Sequence, residues 1–122
     1  GHHPSYIDFF HRILPQTRDA HTLQRKYEAA YATDPRYIQM YREGHAYHGV
    51  HPFYMWYWGE NGRAHIGKII VVGSENAHVP AILGWERAAT LAEAIDRARD
   101  VTSRAAQITL FHLSPILMAE VT

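Results

Sequence analysis

The chain has no cysteine, no excess of either charge and no long apolar run. Without cysteine it can form no disulfide and offers no thiolate ligand. Its 12 basic residues balance its 12 acidic ones, so we expect neither a nucleic-acid nor a membrane partner. No apolar run approaches the ~20 residues of a membrane span, and the first residues lack the charged and apolar regions of a signal peptide. These absences predict a cytoplasmic globular protein.

The chain contains enough material for one folded domain. It has 122 residues, of which 47% are hydrophobic and 12% aromatic, and this suffices for a core of its own. It begins with Gly1 rather than with methionine. We therefore expect residues 1–122 to be a single domain and a piece of a longer protein, with part of the function on residues outside it.

The second half has the pattern of alternating strands and helices. Residues 68–72 (KIIVV) end in four β-branched residues without alternation, which predicts a strand covered on both faces. A short helix should follow, and Thr90 and Glu93 then form a capping box that begins an amphipathic helix. Residues 107–111 (QITLF) predict the next strand. The apolar stripe of the capped helix comprises Leu91, Ala94, Ile95, Ala98 and Val101.

The first half is predicted to be helical. One helix covers residues 4–14, a second is capped by Asp19, and a third covers residues 35–44. The glycines at both ends of residues 44–49 indicate a loop. Together the two halves predict an α/β fold: a small Rossmann-like three-layer domain with a short parallel sheet and an N-terminal helical half.

An aromatic segment, residues 51–58 (HPFYMWYW), precedes the predicted strand. We predict a short helix, with a strand as the alternative, because the segment is too short for its periodicity to decide. It contains Trp56 and Trp58, which is more aromatic surface than the docking of a short helix requires. A substrate or cofactor pocket and plain packing, in a core or at an interface, are equal alternatives for these side chains.

Two other features are weaker candidates for a site. His45, His48 and His51 recur at a spacing of three, but Gly49 interrupts any helix through them and no cysteine or carboxylate completes a ligand set, so we expect no metal site. Residues 73–76 follow the predicted strand at the edge where α/β folds usually bind ligands, yet they contain no phosphate-binding glycine motif. We expect solvated carboxylates at Asp8, Glu28 and Glu86.

The order of motifs in the second half carries a family resemblance. The strand at 68–72 is followed by the pair Gly84–Trp85, by an alanine-rich helix over 90–98 (TLAEAIDRA) and by the apolar residues 107–113. The opening Gly1-His2 and residues 6–10 (YIDFF) also fit. This order resembles the C-terminal domain of the lactate racemase family, which depends on a nickel-pincer nucleotide. The resemblance spans most of the chain.

The resemblance implies that the whole protein racemises or epimerises a 2-hydroxy acid. Such enzymes move a hydride from the substrate α-carbon to the nickel-pincer nucleotide and return it to either face, with paired histidines as acid and base. By the same resemblance, these histidines, the lysine that bears the cofactor and the nickel ligand belong to an N-terminal catalytic domain outside this sequence. This chain alone would then bind no cofactor and would be inactive.

The resemblance also implies where this domain meets the chemistry. The family's C-terminal domain closes over the cleft and offers a tryptophan from the segment before the strand at 69–72. Trp56 is the first choice for that position and Trp58 the second, and no residue of this chain takes a catalytic or metal-binding role. Within the domain, the helical part would cover residues 1–66 and the βαβ part residues 67–122.

Two other functions are compatible with the sequence. One is an autonomous Rossmann-like binding or interaction module, without catalysis, that uses the aromatic segment 51–58 to contact a partner. The other is a histidine-rich metal-binding protein, because the chain contains 10 histidines.

Overall fold

The structure is a computed structural model that describes residues 3–111, the side chain of Asn61 excepted. Helices make up the first half of the chain, and a small parallel sheet with two further helices makes up the second. The α-helices are α1 (Pro4–Asp8), α2 (Ala20–Leu23), α3 (Ala29–Thr33), α4 (Pro35–Glu43), α5 (His51–Trp58), α6 (Glu60–His65), α7 (His78–Leu83) and α8 (Leu91–Arg99). The strands are β1 (Ile70–Val72) and β2 (Glu86–Ala88).

Two π-helical segments lengthen the short helices of the first half. Phe9–Ile13 continues α1, and Gln24–Glu28 joins α2 to α3, so the chain forms one helix from Pro4 and another from Ala20 to Thr33. We call the first of these, α1 with Phe9–Ile13, the N-terminal helix. The helices predicted over 4–14, after Asp19 and over 35–44 are confirmed.

Side-chain caps explain where these helices begin. The Asp19 carboxylate accepts a hydrogen bond from the Thr22 amide at 2.7 Å, and the Asp34 carboxylate accepts one from the Arg36 amide at 2.9 Å. Each cap satisfies an amide that has no partner within its own helix. The aromatic segment is also helical, as α5, and Pro52 lies in its first turn, where the missing amide proton costs nothing.

The core lies mainly in the helical half. Phe9 and Phe53 are fully buried, and their rings meet edge to face with centroids 4.7 Å apart. Ile82 of α7 packs against the same cluster and so ties the second half of the chain to the first. The other buried members of the cluster are Ile13, Leu14, Leu23 and Trp56.

The sheet consists of two parallel strands, with Ile70 opposite Glu86 and Val72 opposite Ala88. Helix α7 connects the strands, and α8 packs against both of them. The structure is therefore a small α/β domain with a short parallel sheet. The strand predicted over 68–72 is confirmed in its last three residues, but the prediction that both faces are covered is wrong, because every residue of β1 keeps part of its surface exposed.

The prediction of a second strand over 107–111 is wrong. These residues are irregular and exposed, and the partner of β1 is Glu86–Ala88 instead. The sequence Glu-Arg-Ala has no preference for strands, so local propensity could not have found it. Tertiary contacts hold it in place: the Glu86 amide donates to the Ile69 carbonyl at 3.0 Å, and the Glu86 carboxylate pairs with Lys68 at 2.9 Å.

Helix α8 begins at the predicted capping box, with one difference. The Thr90 hydroxyl accepts from the Glu93 amide at 3.2 Å, but the Glu93 carboxylate accepts from Ala89, at 2.8 Å, rather than from Thr90. The predicted apolar stripe is confirmed at Ala94, which is buried, whereas Leu91 is exposed. The predicted Val101 lies beyond the end of α8 and is exposed too.

Within residues 3–111, no helix is both long enough and apolar enough to cross a membrane.

Candidate functional site

Trp56 lies on α5 with only 7% of its surface exposed. Its indole N–H donates to the backbone carbonyl of Arg18 at 2.9 Å, and its ring is 6.3 Å from that of Phe9. The first-choice site residue is therefore part of the core, and its one polar atom is already bonded within the protein.

The exposed side of Trp56 is covered by a guanidinium group. The guanidinium carbon of Arg63, Cζ, lies 3.7 Å from the centre of the Trp56 ring, within the range of a cation–π contact. Arg63 also donates to the backbone carbonyl of Trp56, and to the Glu60 carboxylate at 2.9 Å. Helix α6 thereby fixes a positive charge over the indole.

Trp56 and Arg63 border a cleft of about 380 Å³, which we call the Trp56 cleft. It lies between α5, α6, the segment leading into β1 and the C-terminal end of α7. Three cationic side chains and two acidic ones line it, which leaves one formal positive charge. These five residues are Arg18, Arg63, Lys68, Asp19 and Glu60.

Two of the cations also hold the surrounding elements together. Arg18 donates to the carbonyls of Ala81 and Ile82 at 2.7 to 3.0 Å, at the C-terminal end of α7, where free carbonyls attract a cation. Lys68 pairs with Glu86 and so connects the residues before β1 to β2. The hydrogen bond from Lys68 holds the pKa of the Glu86 carboxyl below its usual value.

Trp85 adds an unused donor to this cleft. Its indole N–H is buried and has no hydrogen-bond partner, although Trp85 lines the cleft. A buried donor without an acceptor costs free energy. An oxygen of a bound group that reached Trp85 would recover that loss.

Trp58, the second-choice site residue, is placed differently. It is 76% exposed and does not line the Trp56 cleft. Of the two predicted tryptophans, Trp56 lines this cleft and Trp58 does not.

Two of the carboxylates predicted to be solvated are bonded to tyrosines. Glu28 accepts from the hydroxyls of Tyr54 at 3.2 Å and of Tyr57 at 3.1 Å, and Asp8 accepts from Tyr31 at 3.0 Å. Burial, and then these hydrogen bonds, raise the pKa of Tyr31 and of Tyr57 above the usual value. The sequence did not predict these bonds, because the tyrosines are distant in sequence, and the carboxylates remain partly exposed. Glu86 is likewise paired, with Lys68.

The three regularly spaced histidines do not converge. His45 lies in the loop after α4, His48 packs its ring against Tyr41, and His51 bonds to the Tyr6 hydroxyl at 2.5 Å. Among residues 3–111 no group of three or more His, Cys, Asp or Glu side chains could hold a metal ion. The described residues therefore do not fit a nickel centre, and we assign them no step that passes through one.

The segment after β1 forms a turn whose polar groups bond to neighbouring residues. The Ser74 hydroxyl donates to the Asn76 carbonyl at 2.8 Å, Arg87 donates to the Ser74 carbonyl at 2.8 Å, and the Asn76 side chain accepts from the His78 amide at 2.9 Å. These contacts shape the entry into α7.

Arg18, Arg63 and Trp85 were not identified as site residues from the sequence. Arg18 lies in a loop, and Arg63 lies in a helix, α6, that the sequence did not predict. Only Trp85 carried a signal, as the aromatic partner of Gly84.

The fold and the cleft define a small α/β domain with a cationic cleft beside a buried tryptophan. The chain matches no protein-family model, no curated protein and no solved structure.

Proposed function

We propose that this chain is the C-terminal, cleft-covering domain of a lactate-racemase-like enzyme that racemises or epimerises a 2-hydroxy acid. The observation that carries the proposal is the Trp56 cleft. The tryptophan singled out by the resemblance lies there beside Arg18, Arg63 and Lys68.

Four of the elements that suggested the resemblance support it, whereas residues 107–111 do not form the expected last strand. β1, α7, the Gly84–Trp85 pair and α8 follow one another in the family's order, with α8 packed on both strands. Gly84 ends α7 with a left-handed conformation, φ 76°, which gives the Gly-aromatic pair a structural role. As part of the same proposal we classify the second half as Rossmann-like and three-layered.

A 2-hydroxy acid is an anion, and the Trp56 cleft offers it complementary charge. Arg63 is held over Trp56 and next to Glu60, so it would meet a carboxylate with little loss of side-chain freedom. The indole N–H of Trp56 is already used on Arg18, so Trp56 acts as a positioning residue in this proposal. Closing the domain over the substrate would also exclude water.

The chemistry itself belongs to an N-terminal catalytic domain in this proposal. In this proposal that domain would hold the nickel-pincer nucleotide, which would supply the hydride chemistry, and paired histidines, which would supply the acid–base chemistry. The present chain supplies charge, shape and closure. A cytoplasmic location is part of the proposal, because the substrate is a small water-soluble metabolite.

The test compares substitutions of two tryptophans that lie two positions apart in the sequence. The variants are Trp56→Phe and Trp58→Phe, in the full-length enzyme loaded with its cofactor. We expect Trp56→Phe to lower kcat/KM for racemisation by about tenfold, which corresponds to roughly 1.4 kcal/mol of transition-state stabilisation. Trp58→Phe should leave it unchanged, because Trp58 lies outside the cleft. Thermal denaturation of both variants separates loss of positioning from loss of folding.

Two results would overturn the proposal. One is a full-length sequence without a histidine pair and a cofactor-bearing lysine upstream of this domain. The other is a full-length protein that, when loaded with the cofactor, racemises no 2-hydroxy acid.

A second candidate function is an autonomous binding module, which the outer face of α5 favours. Tyr54, Met55 and Trp58 are all exposed there, and exposed aromatic side chains are typical of protein interfaces. Trp58→Ala would then abolish partner binding while leaving stability unchanged, whereas the racemase proposal expects no loss of function on substitution of Trp58.

A further inference from the structure

We propose that the groove between the N-terminal helix and α7 binds a small aromatic carboxylate. His11 and His78 would bind the carboxylate group of this ligand. The groove encloses about 550 Å³. It is separate from the Trp56 cleft, since Leu83 is the one residue that lines both. The proposal does not rest on the racemase function.

The walls of the groove are apolar and only partly covered. Ile7 on the N-terminal helix is 48% exposed and Val79 on α7 is 51% exposed, and both line the groove. Tyr6 and Phe10 add aromatic surface, with ring centroids 6.3 Å apart and planes 30° apart. A bound ring would remove this apolar surface from water and stack against the aromatic wall.

The Tyr6 hydroxyl is committed elsewhere. It is bonded to the His51 ring at 2.5 Å, and the Tyr47 ring stacks on His51 with centroids 4.3 Å apart. Tyr6 therefore offers the groove its ring rather than a free hydroxyl, which favours an aromatic ligand body over a sugar or another polyol.

Two imidazoles supply the polar end. The rings of His11 and His78 lie 6.0 Å apart, centroid to centroid, with planes 19° apart, although one belongs to the N-terminal helix and the other to α7. A neutral imidazole keeps one N–H donor in either tautomer, and a protonated one has two donors and a positive charge. A carboxylate has two oxygens and can accept from both rings.

An anion suits this pair better than a metal ion. No third His, Cys, Asp or Glu in the described part of the chain joins them in a metal-binding group. The nearby Asn76 uses its side-chain oxygen to accept from the His78 amide, so its amide nitrogen remains as a further donor. Two imidazoles and an amide nitrogen together offer N–H donors that an anion can accept from.

The test is a titration of the full chain with phenylacetate and with the isosteric neutral phenylacetamide. Binding is measured from the NMR chemical-shift changes of the backbone amides. We expect the Kd for phenylacetate to be at least about tenfold lower than for phenylacetamide. His11→Gln and His78→Gln should each abolish that preference. His45→Gln is the matched control, because His45 is exposed in the loop after α4 and does not line the groove, and it should keep the preference.

A second measurement does not depend on the variants. Nuclear Overhauser effects should connect the protons of the bound phenyl ring to the methyl groups of Ile7 and Val79. Equal affinity for the acid and the amide, or no binding of phenylacetate at millimolar concentration, would overturn the proposal. So would nuclear Overhauser effects that place the ring outside the groove.

Discussion

Gly49 is a single residue on which the packing of the helical half depends. It is buried, and a Cβ atom there would lie 2.6 Å from the Tyr31 carbonyl oxygen and 2.8 Å from the Tyr37 Cβ. Neither atom is the end of a flexible side chain, so the backbone would have to move. We expect Gly49→Ala to lower the free energy of unfolding by about 2 to 3 kcal/mol, measured by urea denaturation.

Gly67→Ala is the control for that measurement. A Cβ at Gly67 meets no atom within 4 Å, and the residue is exposed. Its substitution should change the stability by less than about 0.5 kcal/mol. Similar losses at both positions would mean that crowding by Tyr31 and Tyr37 does not decide the cost.

The residues of the Trp56 cleft differ in whether the sequence could identify them as site residues. Trp56 was reached through a resemblance, and the sequence left a pocket and plain packing as equal alternatives for its side chain. Arg63 could not be found, because its role depends on stacking over an indole on another helix. Arg18 could not be found either, since its partners are carbonyls more than 60 positions away.

At the scale of elements, the end of α7 determines how the chain enters β2. The Trp85 amide donates to the Pro80 carbonyl at 2.8 Å and the Gly84 amide donates to the Ala81 carbonyl at 3.1 Å, which together form a Schellman motif. The motif needs a left-handed residue, and Gly84 has φ 76°. It turns the chain directly into the strand that pairs with β1.

We expect Gly84→Ala to destabilise the protein more than Gly73→Ala. Both glycines have nearly the same positive φ, 76° and 74°, so each substitution should cost about 1 kcal/mol for the backbone alone. A Cβ at Gly73 meets nothing within 4 Å, whereas at Gly84 it would lie 2.8 Å from Nε of Arg18. Moving Arg18 would weaken its bonds to the end of α7, and we expect a further cost of about 1 kcal/mol.

The comparison of urea midpoints for the two variants measures that further cost. Equal losses would show that Arg18 moves aside freely and does not hold α7. Combining Gly84→Ala with Arg18→Ala provides the check, because the extra loss at Gly84 should disappear once the guanidinium is absent.

The two strands mark the limit of prediction at this scale. The β-branched residues of β1 were enough to identify it, and the caps of α2, α4 and α8 could be identified from a few side chains. β2 could not, because its pairing depends on the turn after α7 and on the Lys68–Glu86 ion pair. Residues 107–111 have better strand composition, yet composition alone does not bring a segment beside β1.

At the scale of the whole molecule, two hydrogen bonds from tyrosine to carboxylate connect helices of the helical half to one another. Tyr31 of α3 reaches Asp8 of α1, and Tyr57 of α5 reaches Glu28 between α2 and α3. Each bond requires a neutral tyrosine beside a charged carboxylate. Burial and these bonds raise the pKa of both tyrosines in the folded protein.

We therefore expect these bonds to fail in alkali. A tyrosine whose pKa is raised by folding contributes stability that is fully present below its unfolded pKa of about 10 and is lost as the pH rises through the folded value. Tyr31→Phe with Tyr57→Phe should lower stability at neutral pH by about 1 kcal/mol for each bond. That difference from the unsubstituted protein should shrink above about pH 10, as measured by urea midpoints at successive pH values.

Tyr41→Phe separates this effect from general alkaline unfolding. Tyr41 is 54% exposed on α4, so its loss should change stability little, and equally at every pH. A constant difference between the double variant and the unsubstituted protein from neutral pH to about pH 11 would show that the contribution of the two hydroxyls does not depend on their protons. A shrinking difference would show that the two tyrosines stabilise the protein through these hydrogen bonds. Only a hydrogen bond that depends on the hydroxyl proton is lost when that proton dissociates.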